Sequence, residues 1–348
     1  MEGIYNYEQE EKINNEKKRV RRKRRIIIKS IVLAVLFICA AVAGNRVAAL
    51  RWGLHSSFSL AHYDTTPIIQ NVDKELLNNG AEFITSDDVI NILLVGADKR
   101  ESWADTGRSD SCMIATIDLK NKKLKLASLM RDMYLEIPGK GKHKFNSAYS
   151  YGGVELLYKT ILQHFGIKVD GYVIVDFAAF KKVVNTLGGV NIELTDEEHE
   201  ILMKRYHRTS VLDLKPGKNK MNGTQALAYC RLRQDVHADF GRTSRQRYVL
   251  EQIFKKMKKK PVSKWYDVLN SVMPDVTTDL SEDKIIEYMT DVIFLGTTTI
   301  DQLRIPIDGS FKGIDTPDGD SLDIDVEENK KALKEFIFSG DGDKKEEK

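Results

Sequence analysis

Val89-Ile90-Asn91-Ile92-Leu93-Leu94-Val95-Gly96 is a short apolar run closed by glycine, the pattern of a strand buried on both faces. Downstream, Met113 to Leu119 reads as a second strand and the alternation in Lys123-Leu124-Lys125-Leu126 as a third, with Lys120-Asn121-Lys122 as the hairpin turn between them. Val154 to Phe165 predicts a helix stopped at Gly166. Tyr172 to Val175 predicts a strand, Phe177 to Leu187 a helix ending at Gly188-Gly189, and Val190 to Leu194 a further strand. Thr243 to Lys258 and Ser281 to Leu295 predict longer helices, the latter capped by Asp279 or Ser281. Leu303 to Ile307 supplies a last strand and Val326 to Phe338 a last helix. Strands alternating with helices imply an α/β fold, a central mixed sheet flanked by helices on both faces. Pro261-Val262-Ser263 is the only break, and the segment beyond it is too small to stand alone, so 89–339 is expected to be one domain.

Upstream of that domain the charge is uneven. The net charge of the 348 residues is only +3. Residues 1–25 hold nine Lys/Arg and five Asp/Glu, and Lys17 to Arg25 reads KKRVRRKRR. Ile26 to Gly44 comes next, apolar apart from Lys29 and Ser30, and as a helix it spans about 28 Å, close to the ~30 Å of a bilayer's hydrocarbon layer. The expectation is a cytoplasmic basic tail (1–25), one transmembrane helix (26–44), a stem (45–88), the domain outside the cell membrane, and a disordered charged tail (340–348). Ala41-Val42-Ala43 resembles a signal-peptidase site, but the apolar segment is longer than a signal core, so an uncleaved anchor is expected. The near-neutral remainder argues against a nucleic-acid partner. Three cysteines with no C-x-x-C argue against a disulfide scaffold or a Cys-based zinc site.

Within the domain, charged residues gather at strand ends, where α/β sheets form their ligand sites. Asp98 lies just after the first strand, Arg108 and Asp110 precede the second, and Arg131-Asp132 lie just after the third. Far downstream lie Arg231, Arg233, Asp239, Arg242, Arg245 and Gln246. Asp98 and Asp110 are candidate ligands for Mg²⁺, with Mn²⁺ as a substitute. The arginines suit a doubly charged phosphate group. Spacing alone does not separate this reading from solvated ion pairs. An exterior enzyme has no supply of ATP, so a lipid carrier is the more natural phosphate donor.

These motifs together resemble the LytR–CpsA–Psr family of bacterial cell-wall enzymes. The resemblance is carried by Asn91 to Asp98, by Arg108-Ser109-Asp110, and by Ser128-Leu129-Met130-Arg131-Asp132. Further matches are Lys144-Phe145-Asn146 with Ala148-Tyr149, Leu187-Gly188-Gly189-Val190, and Gly223 to Arg233 with Asp239 to Gln246 after it. The resemblance implies transfer of a glycopolymer phosphate from a polyprenyl-pyrophosphate carrier onto peptidoglycan. It implies Mg²⁺ on Asp98 and Asp110, and pyrophosphate held by Arg108, Arg131, Lys144, Arg231, Arg233, Arg242 and Gln246. Arg245 fits the same motif or a helix-face ion pair. Arg131, Asp132 and Asp239 are the implied catalytic groups, the two aspartates as acid/base or as arginine-orienting residues. A pyrophosphatase acting on the same lipid and a non-catalytic carrier-binding or regulatory protein stay open as alternatives. Met130 stands where the family has Pro, which predicts a looser loop.

Three other features carry expectations. Gly139 to Lys144 lacks the P-loop order and predicts a hairpin tip that delivers Lys144. Asp315 to Asp325 misses the calcium-loop spacing and predicts a solvated loop. Cys112 and Cys230 each adjoin a charged motif; a disulfide and two buried free thiols are both compatible with that placement, and the pairing is the expectation put to test.

Overall fold

The apolar run at 89–95 forms the middle of a seven-stranded sheet. The computed structural model describes residues 62–63, 68–78, 83, 85–97, 109–206, 213–233 and 238–339. In chain order the elements are β1 (His62–Tyr63), α1 (Ile68–Asn78), β2 (Val89–Ala97), β3 (Ser109–Asp118), β4 (Lys123–Leu129), β5 (Tyr134–Ile137), β6 (Gly141–Lys144), α2 (Ser147–Phe165), β7 (Gly171–Val175), α3 (Phe177–Thr186), β8 (Val190–Leu194), α4 (Asp196–Arg205), β9 (Gly217–Met221), α5 (Gly223–Cys230), α6 (Ala238–Lys258), α7 (Val262–Val272), β10 (Val276–Thr278), α8 (Glu282–Phe294), β11 (Asp301–Ile305), β12 (Phe311–Ile314), β13 (Ser321–Ile324) and α9 (Val326–Phe338). The sheet order is β1-β10-β7-β2-β3-β4-β11. It is mixed: β2 runs parallel to β7 and antiparallel to β3, while β4 runs antiparallel to β3 and parallel to β11.

Side chains alternate across this sheet with the period of two that a strand imposes. Leu93, Val95, Ile114, Leu129 and Tyr172 enter one core with Val72 of α1, Leu157 and Ile161 of α2, and Leu333 and Ile337 of α9. Val173 and Val175 face the other way, against Ala179 of α3 and Val272 of α7. Each fully buried Leu, Ile or Phe is worth about 1.5–3 kcal/mol, so the α1/α2/α9 face supplies most of the apolar stabilisation.

Local chemistry explains the helix starts. Thr195 and Glu198 form a capping box on α4, Asn222 and Gln225 another on α5, and Ser281 caps α8. Asp279 instead accepts from the Tyr172 amide of β7 at 2.8 Å. After α3 the chain turns through Gly188 (φ 71°) and Gly189 (φ 83°), where a Cβ on Gly189 would lie 2.8 Å from the Met221 carbonyl of β9.

Several expectations are corrected. Helix α2 starts at Ser147, ahead of Val154, with a break at Gly152-Gly153 where φ is −156° and 62°. The small hairpins β5–β6, β8–β9 and β12–β13 complete the fold. Asp315 to Asp325 is no loose loop: it contains β13 and ends in Asp325, whose side chain caps α9. Part of the expected stem is built into the domain, because β1 pairs with β10 and Ile69 and Val72 are buried in the core. Cys112 and Cys230 are buried free thiols in separate clusters, with no disulfide between them. Burial pushes both thiols up, Cys230 to about 12. Among the described residues no helix is long and apolar enough to cross a membrane. Residues 1–25, 26–44 and 340–348 lie outside the described residues.

Candidate functional site

The strand ends meet the start of α6 at one edge of the sheet. A β-bulge between Gly96 and Ala97 shifts the β2–β3 register where β3 presents Asp110. After β4 the chain is pinned residue by residue. The Met130 amide donates to the Ile305 carbonyl at 2.9 Å, the Asn146 amide to Arg131 O at 3.1 Å, and the Leu322 amide to Asp132 O at 2.8 Å. The looser loop expected from Met130 is therefore not what forms: proline has no amide to donate the first of these bonds.

Arg131 is the hub of the site. Its Nε donates to Asp239 Oδ2 at 2.9 Å and to Asp132 Oδ2 at 3.2 Å, and its Nη1 to Asp110 Oδ1 at 3.3 Å. Arg233 Nη2 donates to the same Asp110 oxygen at 3.2 Å, and Arg242 Nη2 to Asp239 Oδ2 at 3.2 Å. Lys144, delivered by β6 as the hairpin reading expects, lies 3.4 Å from Asp132 Oδ1. Four cations thus meet three carboxylates, and of this cluster Arg131, Lys144, Arg233, Asp132 and Asp239 line a cavity of about 690 Å³. Arg242 is 3% exposed, and its Nε and Nη1 are buried with no hydrogen-bond partner.

The charges respond to each other. Burial alone would raise the Asp239 carboxyl, but its hydrogen bond with Asp132 and the guanidiniums of Arg242 and Arg131 hold it down at about 2. Asp132 goes the other way: burial and the hydrogen bond with Asp239 lift it above the ordinary carboxylate range, against the pull of Arg131 and Lys144. Burial would lower the Arg131 guanidinium, yet the carboxylates of Asp132 and Asp239 keep it above its usual value. Arg242 is pushed down to about 10 by burial and by Arg131 beside it. The pair Asp132/Asp239 is therefore split, with Asp132 the more basic and Asp239 the more acidic carboxylate.

Not every candidate joins this cluster. Arg231, at the end of α5, stacks over the Phe177 ring at 4.7 Å. Arg245 turns to Glu198 of α4, 3.4 Å away, and donates to the Leu232 carbonyl at 2.8 Å; it takes the ion-pair role that its motif left open, and not a place in the basic cavity. Gln246 is half-buried on α6. Asp98 and Arg108 lie outside the described residues. The opposite wall of the cavity is one the motifs do not signal, the β12–β13 hairpin with Ile314, Asp315, Asp320 and Leu322. Asp318 at its tip accepts from the Lys144 amide at 3.0 Å and pairs with His143 Nδ1 at 2.9 Å. The signal for this wall was Thr316-Pro317-Asp318-Gly319, a turn sequence between two short alternating runs.

This arrangement sits inside a span with a known pattern: the model of the LytR_cpsA_psr family matches residues 57–335. The chain belongs to the LytR_cpsA_psr family. One relative is the regulatory protein MsrR of Staphylococcus aureus strain COL, 36% identical over 256 residues, which covers 73% of this chain and 76% of MsrR. Another is the polyisoprenyl-teichoic acid–peptidoglycan teichoic acid transferase TagU of Bacillus anthracis strain CDC 684, 36% identical over 217 residues, 60% of this chain and 67% of TagU. Among solved structures, Bacillus subtilis TagT is similar in fold. TagT bound to LI-WTA matches with a TM-score of 0.61 and 28% identity, and TagT with bound octaprenyl pyrophosphate lipid with 0.57 and 27%. Each covers 74% of this chain and 94% of TagT. The basic cavity is thus a feature of a LytR_cpsA_psr domain.

Proposed function

We propose that this LytR_cpsA_psr protein transfers a glycopolymer phosphate from a polyprenyl-pyrophosphate carrier to peptidoglycan. One observation carries the reading: Arg131, Arg233 and Lys144 converge on one cavity, and Arg242 next to Arg131 keeps two buried nitrogens without acceptors. Leaving buried donors unmade costs about 1–3 kcal/mol each, a cost that bound phosphate oxygens would remove. The names of TagU and of the lipid-bound TagT supply the chemical class.

In the proposed reaction a hydroxyl of the acceptor glycan attacks the glycan-side phosphorus. The phosphodiester bond forms, the bridging P–O bond breaks, and polyprenyl phosphate leaves. Arg131, Arg233, Arg242 and Lys144 hold the pyrophosphate oxygens and offset the charge that grows on the leaving phosphate. Asp132, the more basic carboxylate of the pair, takes the hydroxyl proton. Asp239, held ionised, orients Arg131 and Arg242. Among the described residues no group of three or more His, Cys, Asp or Glu could hold a metal. Asp110, whose Oδ1 accepts from Arg131 and Arg233, and Asp98 are the proposed ligands of a Mg²⁺. When bound, that ion neutralises phosphate charge.

The isoprenoid chain needs an apolar bed. On α8, Ile285, Ile286, Met289, Val292 and Ile293 are half-buried, Phe294 is exposed, and no residue is fully buried. Its last turn meets the far end of α6, where Lys258 Nζ donates to Ile293 O at 3.1 Å. Helix α6 runs from Ala238 to Lys258, about 24 Å along its axis from Arg242 to its last residue, so a tail lying along it reaches this surface. Residues 26–44 are proposed to anchor the domain at the outer face of the cell membrane.

The test gives the full chain in detergent a polyprenyl-pyrophosphate oligosaccharide, an uncrosslinked glycan and Mg²⁺. Covalent glycan product with released polyprenyl phosphate is expected, with Arg131→Ala slower by about 10²–10³-fold. Release of lipid phosphate without glycan product would replace the transferase by a pyrophosphatase. Lipid binding with neither product would favour the regulatory reading that the name of MsrR carries.

A further inference from the structure

Phe240 is a wall of two cavities. One is the basic cavity; the other, of about 610 Å³, opens along the neighbouring face of α6. Phe240, Ser244, Tyr248 and Glu251 share that face, since their spacings of four, four and three keep side chains in register along a helix. Glu197 and Glu198 at the start of α4, Tyr229 of α5 and Gln302 of β11 close the cleft. Its polar groups are held in place: Gln302 Nε2 donates to Glu251 Oε2 at 3.2 Å, and Arg247 Nε fixes the amide by donating to Gln302 Oε1 at 3.2 Å. Burial and the Glu198 carboxylate push the Tyr229 phenol up, so it keeps its proton as a donor.

The two cavities differ in their cations: Arg131, Arg233 and Lys144 line the first, and Arg245 lines the second. Three carboxylates, Glu197, Glu198 and Glu251, line the second cleft, and its arginine, Arg245, is already engaged by Glu198. A phosphate there would meet three carboxylates, while Arg245 is held by Glu198 and Lys255 by Glu251. Aromatic rings flanked by carboxylates and an oriented amide suit a different ligand, a neutral sugar. Its hydroxyls donate to carboxylates while its C–H faces lie on rings. The volume falls in the range of about 300–1,000 Å³ of small-molecule sites, enough for a short oligosaccharide segment.

We propose that this cleft binds neutral sugar units of the acceptor glycan strand, beside the donor pyrophosphate in the basic cavity. The proposal rests on the transferase reading. Sugars next to the donor's own phosphate share the required chemistry, but the phosphates further along that polymer are disfavoured by the acidic lining. The acceptor has no such phosphates in its repeating sugars.

The experiment uses the full chain in detergent and two probes, an uncharged N-acetylglucosamine tetramer and octaprenyl pyrophosphate, each tracked by calorimetry. The transfer assay is run alongside. Wild type is expected to bind both probes. Tyr248→Ala and the isosteric Glu251→Gln should weaken tetramer binding and raise the KM for acceptor glycan at least tenfold. Octaprenyl pyrophosphate binding and the KM for donor should move less than twofold. Unchanged tetramer binding in both variants overturns the proposal, and so does a rise in donor KM with acceptor KM constant, which would assign the cleft to the donor's sugars. If wild type binds the tetramer but neither binds octaprenyl pyrophosphate nor transfers, the transferase reading fails by itself. The tetramer affinities of the two variants then still decide whether the cleft is a sugar site.

Discussion

Two of the places where the domain buries charge treat it in opposite ways. On β4, Lys125 is 3% exposed and its ammonium lies 2.7 Å from Asp118, itself 1% exposed. The remaining donors go to the carbonyls of Ile337 at 2.8 Å and Ser339 at 3.2 Å, at the end of α9. Asn121 completes Asp118 through its amide and side chain. Every charge there is matched inside the protein, and a cation sits where a helix leaves its last carbonyls open. Around Arg131 the charges are paired but partly open to solvent, and Arg242 keeps two buried nitrogens without acceptors. A satisfied ion pair holds a structure together, while an unsatisfied one is a place for a ligand.

That contrast can be broken most forcefully at the sealed end. Lys125→Met should cost about 3–5 kcal/mol in urea unfolding of the full chain, because it leaves Asp118 buried without a counter-charge. Adding Asp118→Asn should recover part of the loss; a single variant within 1 kcal/mol of wild type, by the same ~0–1 kcal/mol standard as a surface pair, would erase the distinction. Arg233, 41% exposed, probes the open end. Arg233→Ala should leave stability within about 1 kcal/mol while slowing transfer tenfold or more, a split that a merely structural arginine would not give. The smallest effect is acid sensitivity. Burial would raise the Asp118 carboxyl, but Lys125 and Asn121 overcome this and hold it below the ordinary range. Its folded-state pKa is thus depressed, so its stabilisation is complete above about pH 4 and fades as pH falls through the folded value. Urea midpoints measured from pH 6 downward should show this loss, and Asp118→Asn should flatten that part of the curve.

The legibility of each part of the molecule depends on where its signal is stored. Strand β2 was legible because burial leaves an apolar run broken only by Asn91, whose side chain is bonded to Thr116 and the Lys168 carbonyl. The basic cluster was legible as residue types at strand ends, with Lys144 on its hairpin. Arg245 was ambiguous because it lies three residues from Arg242 on the same helix, and only the distant Glu198 decides which way it points. The β12–β13 wall was misread because its aspartates are spent on local bonds: Asp325 caps α9 and Asp318 ties down the β6 strand. Aspartates used in this way have the composition of a solvated loop. The polar cleft beyond Phe240 combines α4, α5, α6 and β11, and no local pattern announces such an assembly.

Lys125 also sets a timetable. Its carbonyl partner at Ser339 is made 214 residues later, a delay of about 10–40 s at the ~5–20 residues per second of synthesis. Until then the ammonium on β4, next to the edge strand β11, has Asp118 but no helix end to meet. The sealed end is therefore completed only when the last helix arrives.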